Sequence, residues 1–385
     1  MIRRLRPVLI LSLLWLAACA APPAPPTEGL FDDAAFAAPA RPVDAGEVFA
    51  LSEPMQRYLE QELARDVRRK GPRAALVDAL YAPGRLRLEY DAQRTRNAAE
   101  AFEARSGNCL SLVIMSAALA RQLGLPVQFH SVYSDAGWGR SGDLLVANGH
   151  VNLTLRHPSA DARTRFDVVE AMLIDFDPPQ PGQKQYSRSI PESTVLAMYM
   201  NNRAAESLAA GEVDEAYWFA RAAITTEPTF LAAHNTLAVV YLRHGQLQRA
   251  ERVLQQLLAA EPANTAALAN LVLLYGKQGR TAEAAAVQQR LARIEPVPPY
   301  HYFQLGLEAM QRRDYAQAKA MFEKEIDRAA YHHEFHFGLA LANYGLGDVR
   351  EAQRQLGLAM KASTRDAERQ LYAGKLERLK ALRLQ

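Results

Sequence analysis

Three side chains in the first half of the sequence have the types and order that nucleophilic chemistry needs. Cys109 follows Gly107-Asn108 and opens an apolar run that ends at Leu123. His150 opens the alternating stretch Val151-Asn152-Leu153-Thr154-Leu155, and Asp175 ends the run Leu173-Ile174-Asp175-Phe176. Thiol, imidazole and carboxylate in that order supply a nucleophile, a general base and a group that orients the base. The thiolate attacks, not the thiol, and amide N–H groups at a helix start favour the anion. The same amides could hold the oxyanion of an acyl intermediate. Asp167 is nearer to His150 in sequence and is the alternative orienter, with Asp177 a third. A cysteine on an apolar helix is otherwise inert core. Its place after Gly-Asn and upstream of strands bearing His and Asp favours chemistry.

These side chains need elements to hold them. Ser52-Glu53-Pro54 is a helix start, with apolar spacing at Met55, Leu59, Leu63 and Val67. The basic group Arg65, Arg68, Arg69, Lys70 and Arg73 reads as a solvated helix end. A short helix is expected over 72–81, another over 95–102, and a long apolar helix from Cys109 to Leu123. Val127 to Tyr133 and Gly149 to Leu155 alternate as strands, and a further strand pattern ends at Asp175. The loop 134–148 carries Gly137-Trp138-Gly139. Such a glycine-dense segment is expected to move, with Trp138 able to cover a substrate beside the cysteine.

Gly107-Asn108-Cys109 at a helix start, the stretch Ala118 to Pro126 that closes that helix, and His150 at a strand start resemble the transglutaminase-like cysteine peptidase superfamily. The resemblance implies an α+β, papain-like domain over 46–191. It implies Cys109 as nucleophile, His150 as base, and Asp175 (alternatively Asp167) as orienter. The implied reaction is acyl transfer through a thioester, to water or to a lysine amine.

The second half repeats. Pro228, Pro262 and Pro296 stand 34 residues apart, and the same interval links Ala216, Ala250, Ala284, Ala318 and Ala352. Gly211, Gly245 and Gly279 share the register and Gly347 resumes it after one skipped unit. Paired helices at this period are the signature of tetratricopeptide repeats. Leu237, Ala238, Tyr241, Leu271, Tyr275, Leu305, Gly306, Phe322 and Leu339 resemble that pattern. Its early tryptophan is replaced by Met200, His234, Leu268, Tyr302 and His336. Five repeats are expected over 197–366, forming an all-α solenoid whose concave face binds a protein or peptide. A capping helix follows over 367–385, with Arg369, Lys375, Arg378 and Lys380 outward. His332 and His336 share a helical face, but the Glu of a zinc-protease helix is absent. They read as packing or surface histidines and no metal is assigned.

The N-terminus carries an address. Arg3, Arg4 and Arg6 precede the apolar run Val8 to Leu16, too short to span a bilayer, and Leu16-Ala17-Ala18-Cys19 closes it. The tetrad resembles the lipobox of bacterial lipoproteins. It implies removal of residues 1–18, lipidation at Cys19 and, with Ala20 following, anchorage at the periplasmic face of the outer membrane. Residues 19–45 are Ala- and Pro-rich and are expected to form a disordered tether reaching ~30 Å. The 385 residues carry 45 Lys plus Arg against 42 Asp plus Glu, and the three excess charges leave with the signal. No net field remains to attract nucleic acid. Two cysteines build neither a disulfide framework nor a multi-cysteine zinc site. No phosphate loop, Gly-x-Ser-x-Gly elbow or dinucleotide fingerprint appears, so no cofactor is expected. The chief alternative is an inactive scaffold lipoprotein whose thiol domain only recognises a partner.

Overall fold

The computed structural model describes residues 25–382 apart from 40–41, 83, 92–93, 135–137, 142–143, 148–149, 157–170, 177–184, 299, 331 and 364–365. An α+β unit is followed by an all-helical solenoid; one core runs through the first unit and the early repeats, and the later repeats form smaller clusters of their own.

The α+β unit begins with a helical run through Glu53–Arg57, a wider π-type stretch Tyr58–Leu63, and Ala64–Lys70. Helix α1 (Pro72–Tyr81) follows, then α2 (Ala98–Ala104), whose start is a capping box between Asn97 and Glu100. Helix α3 (Cys109–Gln122) is buried around its whole circumference from Leu110 to Ala120, apolar but for Ser111 and Ser116, as an enclosed helix must largely be. Only its two ends reach an edge, Cys109 at the start and Arg121 and Gln122 at the finish. Besides a two-residue parallel pair, Glu89–Tyr90 with Ser106–Gly107, the strands are β1 (Val127–Ser134), β2 (Trp138–Ser141), β3 (Leu144–Ala147), β4 (His150–Leu155), β5 (Met172–Ile174) and β6 (Gln185–Ile190). Four of them form an antiparallel sheet in the order β5-β4-β1-β6. Val151, Leu153, Leu155 and Ile174 are buried in the core that α3 shares. Strand β6 escaped the sequence reading because Gln185-Tyr186-Ser187-Arg188-Ser189 has no alternating apolar face; it is one of the two edge strands.

The segment 134–148, expected as a mobile loop, instead contains a hairpin: β2 pairs with β3, Trp138 opposite Ala147. Ladder hydrogen bonds satisfy the backbone here, which the glycine content alone did not reveal.

The solenoid comprises helix pairs α4 (Glu192–Ala210) and α5 (Val213–Thr226), α6 (Leu231–His244) and α7 (Leu247–Ala260), α8 (Thr265–Lys277) and α9 (Thr281–Ile294), α10 (His301–Gln311) and α11 (Tyr315–Ala329), α12 (His333–Gly345) and α13 (Val349–Ala362). Helix α14 (Asp366–Leu382) closes the stack by burying Tyr372 against Ala340, Leu356 and Ala359. The repeated alanines 216, 250, 318 and 352 are fully buried. Gly211, Gly245, Gly279 and Gly347 turn the chain between paired helices at φ of 84°, 85°, 72° and 82°, the left-handed region a side chain disfavours. In the pair that lacks the glycine, Arg313 takes that conformation at φ 59°.

The expectation of a disordered tether over 19–45 needs correction. Leu30 and Phe36 are buried, and Asp33–Ala35 forms one 3₁₀ turn. Phe36 stacks on Tyr217 with ring centroids 3.9 Å apart, and Tyr241 donates to the Leu30 carbonyl at 2.8 Å. Asp33 accepts from Tyr217 (2.6 Å) and Arg221 (2.8 Å), while Asp32 pairs with Arg249 (2.9 Å). The Ala/Pro composition masked Leu30, Phe36 and two carboxylates that match a receptive edge roughly 180 to 220 residues onward in the chain, which the sequence pattern cannot display. The chain then enters the α+β core at Val48 and Phe49. Among the described residues no helix is long and apolar enough to cross a membrane.

Candidate active site

The site forms where the start of α3 meets β4 and the end of β5. Asn108 is the N-cap of α3: its Oδ1 accepts from the Ser111 amide at 2.9 Å and the Ser111 hydroxyl at 2.8 Å. Gly107 permits this tight first turn, because a Cβ there would stand 2.6 Å from the Ser111 Cβ. Cys109 is therefore held at the first helical position, half-buried and unbonded to any other cysteine. With the Ser111 amide taken by Asn108, the Cys109 and Leu110 amides are the ones a helix start leaves without an intrahelical carbonyl, and they favour an anion there.

His150 begins β4. Its Nε2 donates to Asp175 Oδ1 at 2.6 Å, and the pair is almost enclosed, with 14% and 8% of the two side chains exposed. Asn152, two residues on and so on the same strand face, donates to Asp175 Oδ2 at 3.0 Å. Tyr81, the last residue of α1, holds the same residue by its backbone: its hydroxyl donates to the Asp175 carbonyl and accepts from the Asp175 amide, both at 3.0 Å. The Tyr81 ring stacks on Phe176. The carboxylate is thus aimed from two directions before the histidine uses it.

The other ring nitrogen, Nδ1, is buried without a formed hydrogen bond. It is the ring atom left to exchange a proton with the thiol. Burial works against the imidazolium, but the Asp175 hydrogen bond, followed by the nearby Cys109 side chain, outweighs it. The ring is raised from 6.5 to about 10. A protonated imidazole beside the Cys109 side chain is the arrangement these interactions favour.

Of the residues singled out in the sequence, the structure brings Cys109, His150 and Asp175 together. Asp167, Asp177 and Cys19 lie outside the described residues. Trp138 stands at the start of β2. Sequence reasoning missed Asn152 and Tyr81. The period of a strand, which places Asn152 beside His150, was a usable signal for the first; nothing local marks the second.

The histidine cluster of α12 does other work. His336 is buried between Gln355 (2.8 Å) and the Ala330 carbonyl (2.8 Å), His333 meets the Tyr372 hydroxyl at 2.7 Å, and His332 meets the Tyr300 hydroxyl at 3.3 Å. Each ring is committed to a different neighbour. Among the described residues no group of three or more His, Cys, Asp or Glu is arranged to hold a metal ion.

Residues 61–158 match the family model of the transglutaminase-like superfamily, and residues 235–298 and 303–368 match that of the tetratricopeptide repeat. The chain thus carries a transglutaminase-like domain followed by tetratricopeptide repeats. The first match ends before Asp175. No curated protein matches the chain. Similar solved structures include a thermophilic tetratricopeptide-repeat protein of Thermus thermophilus, 21% identical, covering 47% of this chain and 98% of that one with a TM-score of 0.30. PilF of Pseudomonas aeruginosa is 22% identical over 50% of this chain and 86% of its own, with a TM-score of 0.30. YrrB, described as a tetratricopeptide-repeat protein with an unusual peptide-binding site, is 17% identical over 46% and 92%, with a TM-score of 0.25.

Proposed function

We propose that the chain is an envelope lipoprotein, anchored through Cys19 at the periplasmic face of the outer membrane, that transfers acyl groups from a peptide or protein amide through a Cys109 thioester. The Cys109 thiolate adds to the amide carbonyl, and backbone N–H groups at the start of α3 hold the oxyanion. The C–N bond then breaks and the His150 imidazolium gives its proton to the leaving amine. Water, deprotonated by His150, attacks the thioester and releases the acid and the thiolate. A lysine amine in place of water would give cross-linking by the same steps. No cofactor enters.

The repeats are assigned the binding of a protein or peptide. Leu273, Leu307 and Leu341 occur once per repeat, 34 residues apart, on the first helix of successive pairs. They remain 49%, 37% and 39% exposed. Aligned exposed leucines are the feature a folded chain ordinarily avoids unless a partner covers them.

The observation that carries the catalytic reading is the 2.6 Å His150–Asp175 bond, with Nδ1 left free of hydrogen bonds beside Cys109 at a helix start. A thiol-directed probe applied to the mature protein near neutral pH tests it. Labelling is expected to vanish in Cys109→Ser and to weaken strongly in His150→Ala. Labelling indifferent to His150 would leave the scaffold reading in its place. Incorporation of labelled fatty acid, abolished by Cys19→Ser, checks the anchor.

A further inference from the structure

The start of the cysteine helix is not held by its own domain alone. Thr95, 1% exposed, sits between Asn108 and the first helix of the solenoid. Its Oγ1 accepts from Asn108 Nδ2 at 2.9 Å and from Asn202 Nδ2 at 3.2 Å. Its amide donates to Glu206 Oε1 at 2.7 Å. Asn202 and Glu206 are four residues apart and so share one face of α4. Arg203, 3.4 Å from Glu206, balances the charge. On the far side, Asn108 caps α3 and Ser111 accepts from the Arg96 amide at 2.8 Å. A continuous chain of hydrogen bonds therefore runs from the solenoid through Thr95 to the residue preceding Cys109.

We propose that Glu206 and Asn202, on the first repeat helix, are positioning residues for the nucleophile, acting through Thr95 and Asn108 on the first turn of α3. The proposal rests on the reading of Cys109 as the reactive thiol and adds to it that the solenoid is part of the site's support. The physical reason is directional. Asn108 must present Oδ1 to the Ser111 amide for the cap to form, and its Nδ2 group is then turned toward an acceptor. Thr95 is that acceptor, and Thr95 is itself fixed by a partly buried carboxylate whose position belongs to α4. Without the fixed acceptor the Asn108 amide can rotate, the first turn loosens, and the N–H groups that favour the thiolate lose their alignment. A shift of the repeats at α4 would reach the thiol by this route.

The test is the second-order rate of Cys109 alkylation by iodoacetamide, followed across pH on the full-length mature protein, with thermal melting to establish that each variant is folded. Thr95→Val and Glu206→Gln are expected to lower the rate about fivefold, the size of one net hydrogen bond. Asn202→Ala should act in the same direction, and Thr95→Ser, which keeps the hydroxyl, should restore it. A merely structural role would change melting and leave the rate of the folded protein alone. If Thr95→Val does not fold, Glu206→Gln and Asn202→Ala carry the test. Rates of folded Glu206→Gln and Asn202→Ala equal to the parent overturn the positioning role while His150→Ala still slows labelling. A rate that His150→Ala also leaves unchanged overturns the nucleophile reading and this proposal together.

Discussion

Replacing Asp175 by Asn removes a charge and keeps the shape. The His150 ring stands at about 10 against an ordinary 6.5, although burial opposes the charged form. That interval corresponds to about 5 kcal/mol in favour of the imidazolium, shared between Asp175 and Cys109. A hydrogen bond to a charged partner contributes ~1.5–3 kcal/mol, so Asp175→Asn should bring the His150 titration down by about 1–2 pH units. Histidine labelled at Cε1 and followed by NMR from about pH 5 to about pH 11 reads this directly, with His150 identified as the resonance missing in His150→Gln. Stability must follow the same titration. Because the folded-state value lies above 6.5, protonation of His150 supports the fold fully below about pH 6.5, and that support is lost as the pH rises through about 10. In Asp175→Asn the loss is complete at lower pH, so the difference in melting temperature between parent and variant is at its full value at neutral pH and below, and closes as the pH passes about 10. A parent ring that titrates at or below 6.5, or one that Asp175→Asn leaves unmoved, would refute the electrostatic account of this site.

Other consequences are more local. Phe36→Ala removes the ring stacked on Tyr217 and should weaken docking of the N-terminal segment by about 3 kcal/mol. Hydrogen exchange should then show residues 30–38 losing protection while α3 keeps its own, and unaltered protection would count against the docked arrangement. Arg313→Gly relieves a side chain from the left-handed region at a cost in unfolded-chain entropy, for a net gain of about 0.5–1 kcal/mol. A lower melting temperature for this variant would show that the Arg313 side chain outweighs its backbone strain.

Several features were legible without coordinates because they are local or periodic. Pro228, Pro262 and Pro296 mark helix ends by chemistry each carries alone, and the 34-residue interval turns those ends into a stacked array. Cys109 after Gly-Asn and His150 at the head of an alternating run were visible because capping and strand alternation are short-range effects. The hidden elements lacked such a signal. Strand β6 has no alternating apolar face, and its partner β1 lies some 50 residues earlier in the chain. The docked segment 30–38 looks like linker until Tyr217, Tyr241, Arg221 and Arg249 are placed around it.

The choice of acid shows where the boundary lies. Sequence spacing put both Asp167 and Asp175 within range of His150, and a strand-end pattern preferred Asp175 without excluding the other. The pairing of β4 with β5 sets Leu153 opposite Ile174 and so carries Asp175 alongside Asn152 and His150. Residue types and local patterns determined which chemistry this chain could attempt and which repeats would follow it. Strand register decided which carboxylate meets the imidazole, and the packing of α4 against α3 decided that Thr95 links the solenoid to the thiol. Register and inter-unit packing join residues from 23 to 111 positions apart, so they rest on the sum of many weak contacts that no single stretch of sequence contains.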